Sequence, residues 1–522
     1  MTPNPIQLEI YKHRFSAIAE EMGASLKRTA FSANIKERLD FSCAVFDRSG
    51  RMIAQAAHIP VHLGAMPLSV MAAIQAISMA AGDMVLINDP FRGGTHLPDL
   101  TLVAPVFAGA GKPLFYVANR AHHADIGGIS PGSMPLSTSI FQEGIIIPPT
   151  KIISDGRINE AMLSLILANV RTPDERRGDF NAQFMANRTG IRRIGDLVER
   201  YGENLAVEYG DYLIDYAEAL VRKRVSEIPD GRYSYSDVME DDGRDCEDIN
   251  IEVTVEITGD RAVIDFTHCA SQVTGNINAV AAVTWSAVLY VFRCLIAEDI
   301  PANAGCLAPL EIRTRKGTVV DASFPAAVAA GNVETAQRLV DVILGALAKA
   351  TPGAVPAASQ GTMNNIAIGG IDPRSQKPYT YYETIGGGMG ASRENDGESA
   401  IHSHMTNTAN TPIEALENSY PFLVTAYGIR KGSGGKGKKR GGDGIIRQIR
   451  MLSDAEITVL SERRKTRPYG LSGGQPGSPG INTLIQNGDP VIKPSKFHET
   501  VKPMTEIRIE TPGGGGYGGE GS

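Results

Sequence analysis

The sequence predicts an α+β fold: one large composite chain with mixed and antiparallel sheets, glycine-rich loops and a helical block. Three observations predict it. Ile194, Leu197, Val198 and Tyr201, and again Leu213, Tyr216, Ala217 and Leu220, follow the i, i+3, i+4, i+7 spacing of amphipathic helices. Ile251, Val253, Val255 and Ile257 alternate with polar residues, turn at Gly259 and Asp260, and return through Val263, Ile264 and Phe266, as a half-buried hairpin does. Elsewhere short apolar runs end in glycine-rich loops, the usual way a sheet scaffold presents a site.

Taken in order, the segment to about Glu37 reads as a helix, because Ile18, Met22, Leu26 and Ala30 fall four apart. Residues 41–54 read as a hairpin: Cys43, Val45 and Phe46 precede a turn at Asp47 to Gly50, Met52 and Ile53 follow it, and Asp40 stands at its entry. Runs at 85–87, 100–107 and 114–118 read as strands, the first and last leading into NDPFRGGTHLPD and NRAHHADIGG. Two helices are expected within 179–228 and another over 334–350, with Leu339, Val342, Ile343, Ala346 and Leu347 on one face before Pro352 stops it. The final third is loop-rich and β-leaning, and composition alone would make its ending, TPGGGGYGGEGS, flexible. The expected division is 1–178, a β-rich region with the N-terminal helix; 179–232, the helical block; 233–330, the hairpin region; and 331–522, a helix followed by β structure that completes a pocket.

Composition removes several function classes. The 522 residues carry 51 basic and 58 acidic side chains, a net charge of 51 − 58 = −7, without the basic stripe that nucleic acid demands. Lys436 to Arg440 is too short and glycine-diluted to change that. No run of about 18 apolar residues occurs and the N-terminus lacks signal-peptide order, so no membrane partner and a cytoplasmic location are expected. Cys43, Cys246, Cys269, Cys294 and Cys306 form no Cys-x-x-Cys pair, which suits a reducing compartment, argues against thiolate zinc sites and leaves them as buried small side chains. Glycine is in excess, 56 of 522 against a usual ~7%, and gathers beside histidines and carboxylates.

Those gatherings hold the chemistry. Six of the ten histidines precede residue 124, and three motifs supply metal-ligand side chains: RLDFS around Asp40, NDPFRGGTHLPD with His96 and Asp99, and NRAHHADIGG with His122, His123 and Asp125. Pro98 stiffens the turn that lets His96 and Asp99 converge. Imidazole plus carboxylate suits Zn²⁺, Mn²⁺ or Fe²⁺ in an open, catalytic kind of site, where bound water would acquire a pKa of about 7. In an extended strand the adjacent His122 and His123 face opposite ways, so at most one is a ligand. Glu143 is a general base only if the fold brings it to the metal. Gly432 to Lys439 nearly fits a phosphate loop, but Lys439 replaces the required hydroxyl and no helix can start at Arg440-Gly-Gly-Asp-Gly, so it is read as a decoy. Gly386 to Ala391 lacks the βαβ context of a dinucleotide fold.

Together, ERLDFSCAVFD, HIPVHLGAMP, NDPFRGGTHLPD, NRAHHADIGG, FQEGIIIPP, GNVETAQR, HSHMTNTANTPIE and TPGGGGYG resemble the hydantoinase B/oxoprolinase family, over nearly the whole chain. The resemblance implies an ATP-dependent cyclic amide hydrolase. A hydantoinase A-type ATPase subunit with ATP and Mg would phosphorylate a lactam or hydantoin, and this chain would hydrolyse the activated ring at a divalent metal, zinc first with manganese or iron as alternatives. It implies metal ligands at Asp40, His96, Asp99 and one of His122 and His123, with His123 preferred. His122 or Asp125 would orient water, Glu143 would act as base, and His58, His62, His402 and His404 would line the pocket. It also makes the glycine-rich motifs ordered parts of the fold. The rival readings are a subunit of an ATP-dependent ketone carboxylase of the acetone or acetophenone type, a non-catalytic scaffold for the ATPase, and a metal amidohydrolase that needs no ATP.

Overall fold

Asn4 starts helix α1 (Pro5–Thr29) by accepting from the N–H groups of Ile6 and Gln7, while Pro5 occupies the first turn, where a missing N–H does no harm. The computed structural model describes residues 4–519 except 57, 110, 297 and 298. The expected stripe of Ile18, Met22 and Leu26 is buried, and a short helix, α2 (Ala33–Lys36), leads into the first sheet. Its strands are β1 (Phe41–Asp47), β2 (Met52–Gln55), β3 (Met84–Ile87), β4 (Asp99–Val106), β5 (Phe115–His122), β6 (Thr150–Ser154) and β7 (Arg157–Ile158). They pair antiparallel in the order β2-β1-β5-β4-β3-β6-β7, which includes the expected hairpin and the three expected strands.

Helices cover both faces of the middle of this sheet. On one side lies α3 (His62–Ala76), whose Met66, Val70 and Ala73 pack with Ala44, Phe46, Val103 and Ala118. After α4 (Glu160–Leu167), α5 (Pro173–Tyr201) joins α1 on the other side, where Cys43, Val45, Leu102 and Val117 enter the main core. Burial on both faces makes β1, β4 and β5 continuous buried runs rather than alternating ones.

The helical block begins at Pro173, earlier than expected, and breaks at Gly202, where φ is 87°, before α6 (Glu203–Ser226). Ile194, Leu197, Leu213 and Ala217 are buried, but Tyr216 is exposed. A second sheet of β8 (Gly231–Asp241), β9 (Glu247–Thr258), β10 (Arg261–Asp265) and β11 (Leu310–Arg313) contains the expected hairpin, and its β10–β11 pair is parallel. Helix α7 (Ala281–Cys294) packs on α3, and α8 (Ala336–Ala350) follows a π-helical turn at Gly331–Thr335. The one-sided burial expected of α8 is corrected: from Ala336 to Leu347 every residue is buried, enclosed by β8, β9 and α7, with Arg338 and Asp341 paired to Glu462 and Arg463. The cysteine expectation also needs amending, since all five are free thiols but Cys246 is half-buried and Cys294 exposed. None of the helices is long and apolar enough to cross a membrane among the described residues.

The last third adds β12 (Asn365–Asp372), β13 (Lys377–Glu383), α9 (Ile413–Ser419), β14 (Phe422–Arg430), β15 (Gly444–Met451), β16 (Ala455–Leu460), β17 (Ile481–Gln486), β18 (Asp489–Lys493), β19 (Lys496–Val501) and β20 (Glu506–Glu510). They form sheets β13-β12-β16-β19 and β14-β15-β20-β17-β18 around a second core. The glycine tail is ordered as far as Gly519, not flexible, and residues 520–522 lie outside the described ones: Gly514 N–H donates to Gly442, Gly515 N–H to Ala358, and Gly514 accepts from Gly435. The phosphate-loop lookalike belongs to this knot, and strand β15 rather than a helix follows it.

Candidate metal centre

Three adjacent strands end together and set the site. Asp99 opens β4 directly opposite His122, which closes β5, so the two side chains share one face of the sheet. The His122 N–H donates to the carbonyl of Asp40, the residue before β1, which adds Asp40 to the same row. His96 lies in the turn that precedes β4, whose closure is the bond from Asp99 N–H to the His96 carbonyl. Asp99 Oδ1 stands 3.3 Å from His96 Nε2 and 3.3 Å from His122 Nδ1, and one donor atom from each of the three residues falls within 4.8 Å of the others.

The surrounding groups fix these side chains. His96 Nδ1 lies 3.1 Å from the Ala329 carbonyl, which calls for a proton on Nδ1 and leaves Nε2 as the nitrogen that faces Asp99. Tyr382 stacks on the His122 ring at 4.6 Å and 15°. Asp99 Oδ2 accepts from Thr95 at 2.5 Å and Asn332 at 3.3 Å, and lies 3.4 Å from His62 Nε2. Burial opposes charge on Asp99, but His96, His62 and His122 outweigh it and hold the carboxyl well below its ordinary range. Burial likewise opposes the charged form of His96, and Asp99 beside it prevails and raises the imidazole. Burial dominates at His122 and lowers it.

Asp40, His62, His96, Asp99 and His122 line one cavity of about 20 Å³, together with Asn332 and Tyr382. The remaining expectations divide. His123 faces the other side of the sheet, because strand parity turns it toward α5, where Nε2 meets Gln183 at 3.0 Å and the ring packs on Phe180; the preference for it over His122 is corrected. Asp125 does not line the cavity, and its carboxylate is held by the Arg171 guanidinium at 2.9 Å and by the Arg171 N–H at 2.8 Å. Glu143 does not line that cavity. It accepts from Ser137 Oγ at 2.6 Å and from the N–H groups of Val328 and Ala329 at 2.9 and 3.0 Å, so it holds the strap whose carbonyl faces His96. His58 packs against Phe41, while His402 and His404 line a separate cavity.

Sequence reasoning missed Tyr382, and it gave Asn332 no role although Asn332 stands inside the GNVETAQR motif. The fit to a metal rests on an observation about unmet bonding: His96 Nε2, Asp99 Oδ1 and His122 Nε2 are buried without a hydrogen-bond partner. Buried polar atoms in native proteins are normally satisfied. Two imidazoles and a carboxylate form a donor set suited to a divalent transition ion, and about 20 Å³ is room for one ion or one water.

A family model described as hydantoinase B/oxoprolinase matches residues 4–520. 5-Oxoprolinase 1 of Arabidopsis thaliana is 41% identical over 98% of this chain and 42% of its own length. The chain spans less than half the length of the 5-oxoprolinases it matches. The crystal structure of ATP-dependent caprolactamase from Pseudomonas jessenii shares the fold with a TM-score of 0.93 at 30% identity, over 99% of this chain and 92% of that one. Acetone carboxylase in its nucleotide-free structure has a TM-score of 0.90 over 99% and 76% of the two chains, and at 18% identity the likeness is one of fold.

Proposed function

We propose, because this chain belongs to the hydantoinase B/oxoprolinase family, that it is the metal-dependent hydrolytic subunit of an ATP-dependent cyclic amide hydrolase. The observation that carries the proposal is the convergence of His96 Nε2 and His122 Nδ1 on Asp99 Oδ1, with His96 Nε2, Asp99 Oδ1 and His122 Nε2 buried and without hydrogen-bond partners. Two of its relatives are named for cyclic amides, 5-oxoproline and caprolactam. Caprolactamase is described as ATP-dependent, the phosphate-loop lookalike here lies in the glycine knot, and the 5-oxoprolinases are more than twice as long. A hydantoinase A-type ATPase subunit would therefore supply ATP, Mg and the activating phosphoryl group.

His96, Asp99 and His122 would hold the cation, with Asp40 in the same cavity completing its shell. A divalent ion there, zinc first with manganese or iron as alternatives, would supply Lewis acidity and a water of lowered pKa. Ala329 and Glu143 keep the His96 lone pair directed inward, and Tyr382 keeps the His122 ring from rotating. His62, which lines the same cavity between Ser42 Oγ at 2.9 Å and Asp99 Oδ2, would take the proton shed by attacking water and return it to the departing ring nitrogen. Overall, lactam, ATP and two waters give an amino acid, ADP and phosphate, one water opening the ring and the other releasing phosphate.

The test is purification of the chain with a hydantoinase A-type ATPase subunit, followed by elemental analysis and an assay of ADP release on cyclic amides. Near-stoichiometric metal, lost in His96→Ala and Asp99→Ala together with turnover, is expected. Lactam hydrolysis that survives both substitutions overturns the metal assignment. A requirement for bicarbonate would replace hydrolysis with carboxylation, and a wild-type chain without metal would leave only a scaffold.

A further inference from the structure

An organic ring does not fit in about 20 Å³, so the body of any substrate sits next to the metal-centre cavity rather than in it. Two larger cavities share its walls. One of about 530 Å³ meets it at Ile59, and one of about 370 Å³ meets it at Thr406. They differ in how their polar groups are arranged. In the larger, Lys12 is engaged by Glu9 and Asp299, Arg293 donates to the Ile300 carbonyl, and the buried atoms without partners, Gln55 Oε1 and His58 Nδ1, stand apart on an edge strand and the loop after it. In the smaller, His402 Nδ1, Ser403 Oγ and His404 Nε2 are buried without partners, and Ser403 and His404 are each only 8% exposed. Tyr290 Oη faces His404 Nδ1 at 3.3 Å, which leaves Nε2 for something else. His404 also has φ of 57°, a conformation that non-glycine residues adopt at a cost and that often marks a working position.

Resting on the hydrolase reading above, we propose that the 370 Å³ cavity receives the substrate ring. Ser403 and His404 would hydrogen-bond a second oxygen acceptor on that ring, a ring carbonyl or a carboxylate, beside the scissile amide. Burial pushes His402 down to about 4 and lowers His404, so both imidazoles are neutral at pH 7 and each keeps one donor and one acceptor nitrogen. Leu344, Met389 and Pro60 supply the apolar wall that a small ring needs. A buried site built to hydrogen-bond a group discriminates strongly against the analogue that lacks it, because its own polar atoms are then left unpaired.

Three probes separate the alternatives: 5-oxoproline carries a carboxylate, hydantoin a second ring carbonyl, and 2-pyrrolidinone neither. Binding of each to the metal-loaded chain is measured by calorimetry. The expected result is that 5-oxoproline or hydantoin binds at least about tenfold more tightly than 2-pyrrolidinone, and whichever does so identifies the acceptor. Ser403→Ala and His404→Asn should each bring that probe down toward the 2-pyrrolidinone level, with metal content and thermal midpoint unchanged. Asparagine is chosen because it tolerates the left-handed backbone, and Ser403→Ala carries the test if that variant does not fold. Equal binding of the three probes, no binding of any, variants without effect, or variants that lose metal would each overturn the assignment. A chain that keeps its metal and its lactamase activity yet binds 2-pyrrolidinone as tightly sinks this inference alone.

Discussion

Gly93 and Gly94 stand in a loop that ends in a cluster of buried side chains, whereas Gly513 to Gly516 thread a bundle of backbones where side chains have no room. At Gly93, with φ of 89°, an added Cβ would lie 2.5 Å from the backbone of Leu68, so the loop presses on α3 and turns back to deliver His96 and Asp99 to the end of the sheet. At Gly514 a Cβ would lie 2.0 Å from the Met389 carbonyl, at Gly515 2.0 Å from that of Tyr469, and at Gly441 2.0 Å from that of Gly514. One region uses glycine to bring functional groups together, the other to exclude them so that main chains can bond directly. Chemistry and architecture are thus carried by similar compositions in separate places.

The sharpest way to break this contrast is to damage each region and read both stability and metal. His96→Ala should cost more metal affinity than the ~100-fold that loss of an outer partner costs, with the fold retained by circular dichroism. Gly514→Ala should act the other way, lowering unfolding free energy by about 3 kcal/mol or more in urea titrations while any protein that folds still binds metal. Gly195→Ala is the control on glycine itself: it lies inside α5 with nothing within 4 Å of its Cβ position, so it should stabilise by about 0.5–1 kcal/mol. If Gly514→Ala proves as benign as Gly195→Ala, the close-packed reading of the tail is wrong.

What could be read beforehand followed from periodicity and failed where register or distance decided. The 250–266 hairpin and the α5 and α6 stripes were legible because one face of each meets solvent. Helix α3 was not, since it has apolar residues on several sides and Pro67 inside it, and no periodic stripe announces it. The row of Asp40, Asp99 and His122 shows the limit at the site. Strand alternation says that only one of two adjacent histidines faces the cluster, but which one depends on the pairing of Asp99 with His122, a register set by the connection from β4 to β5. Glu143 was visible as a carboxylate, but its hold on the strap was not, because its partners, Val328 and Ala329, lie 185 and 186 residues away.

Smaller effects test how the two halves of the chain meet at the strap from Val328 to Ala329. In Glu143→Gln the amide oxygen can still accept from Ser137, Val328 and Ala329, so the strap loosens without collapsing. Metal affinity should fall roughly tenfold, as for other outer partners of a ligand histidine, and competition with a chelator of known affinity measures it. An unchanged affinity would mean that the Ala329 carbonyl needs no help in orienting His96.

The smallest effect is a pH dependence with a definite sign. Burial pushes Glu143 up to about 7 against the hydrogen bonds from Ser137, Ala329 and Val328, and burial does the same to Glu334. Unfolded, both titrate near about 4.3, so between about 4.3 and 7 the native chain holds protons that the unfolded chain has released. Their contribution to stability is complete below the unfolded value and is lost as pH rises through about 7. His58 and His402, pushed down to about 4 by burial, work oppositely: their contribution is complete above about 6.5 and is lost as pH falls through about 4. Glu143→Gln stays uncharged throughout and removes one of the contributions that fade at high pH. The unfolding free energy of the metal-free variant should therefore gain on wild type as pH is raised from about 5 to about 8. A difference that does not change with pH would mean that Glu143 is ionised throughout and that burial does not govern it.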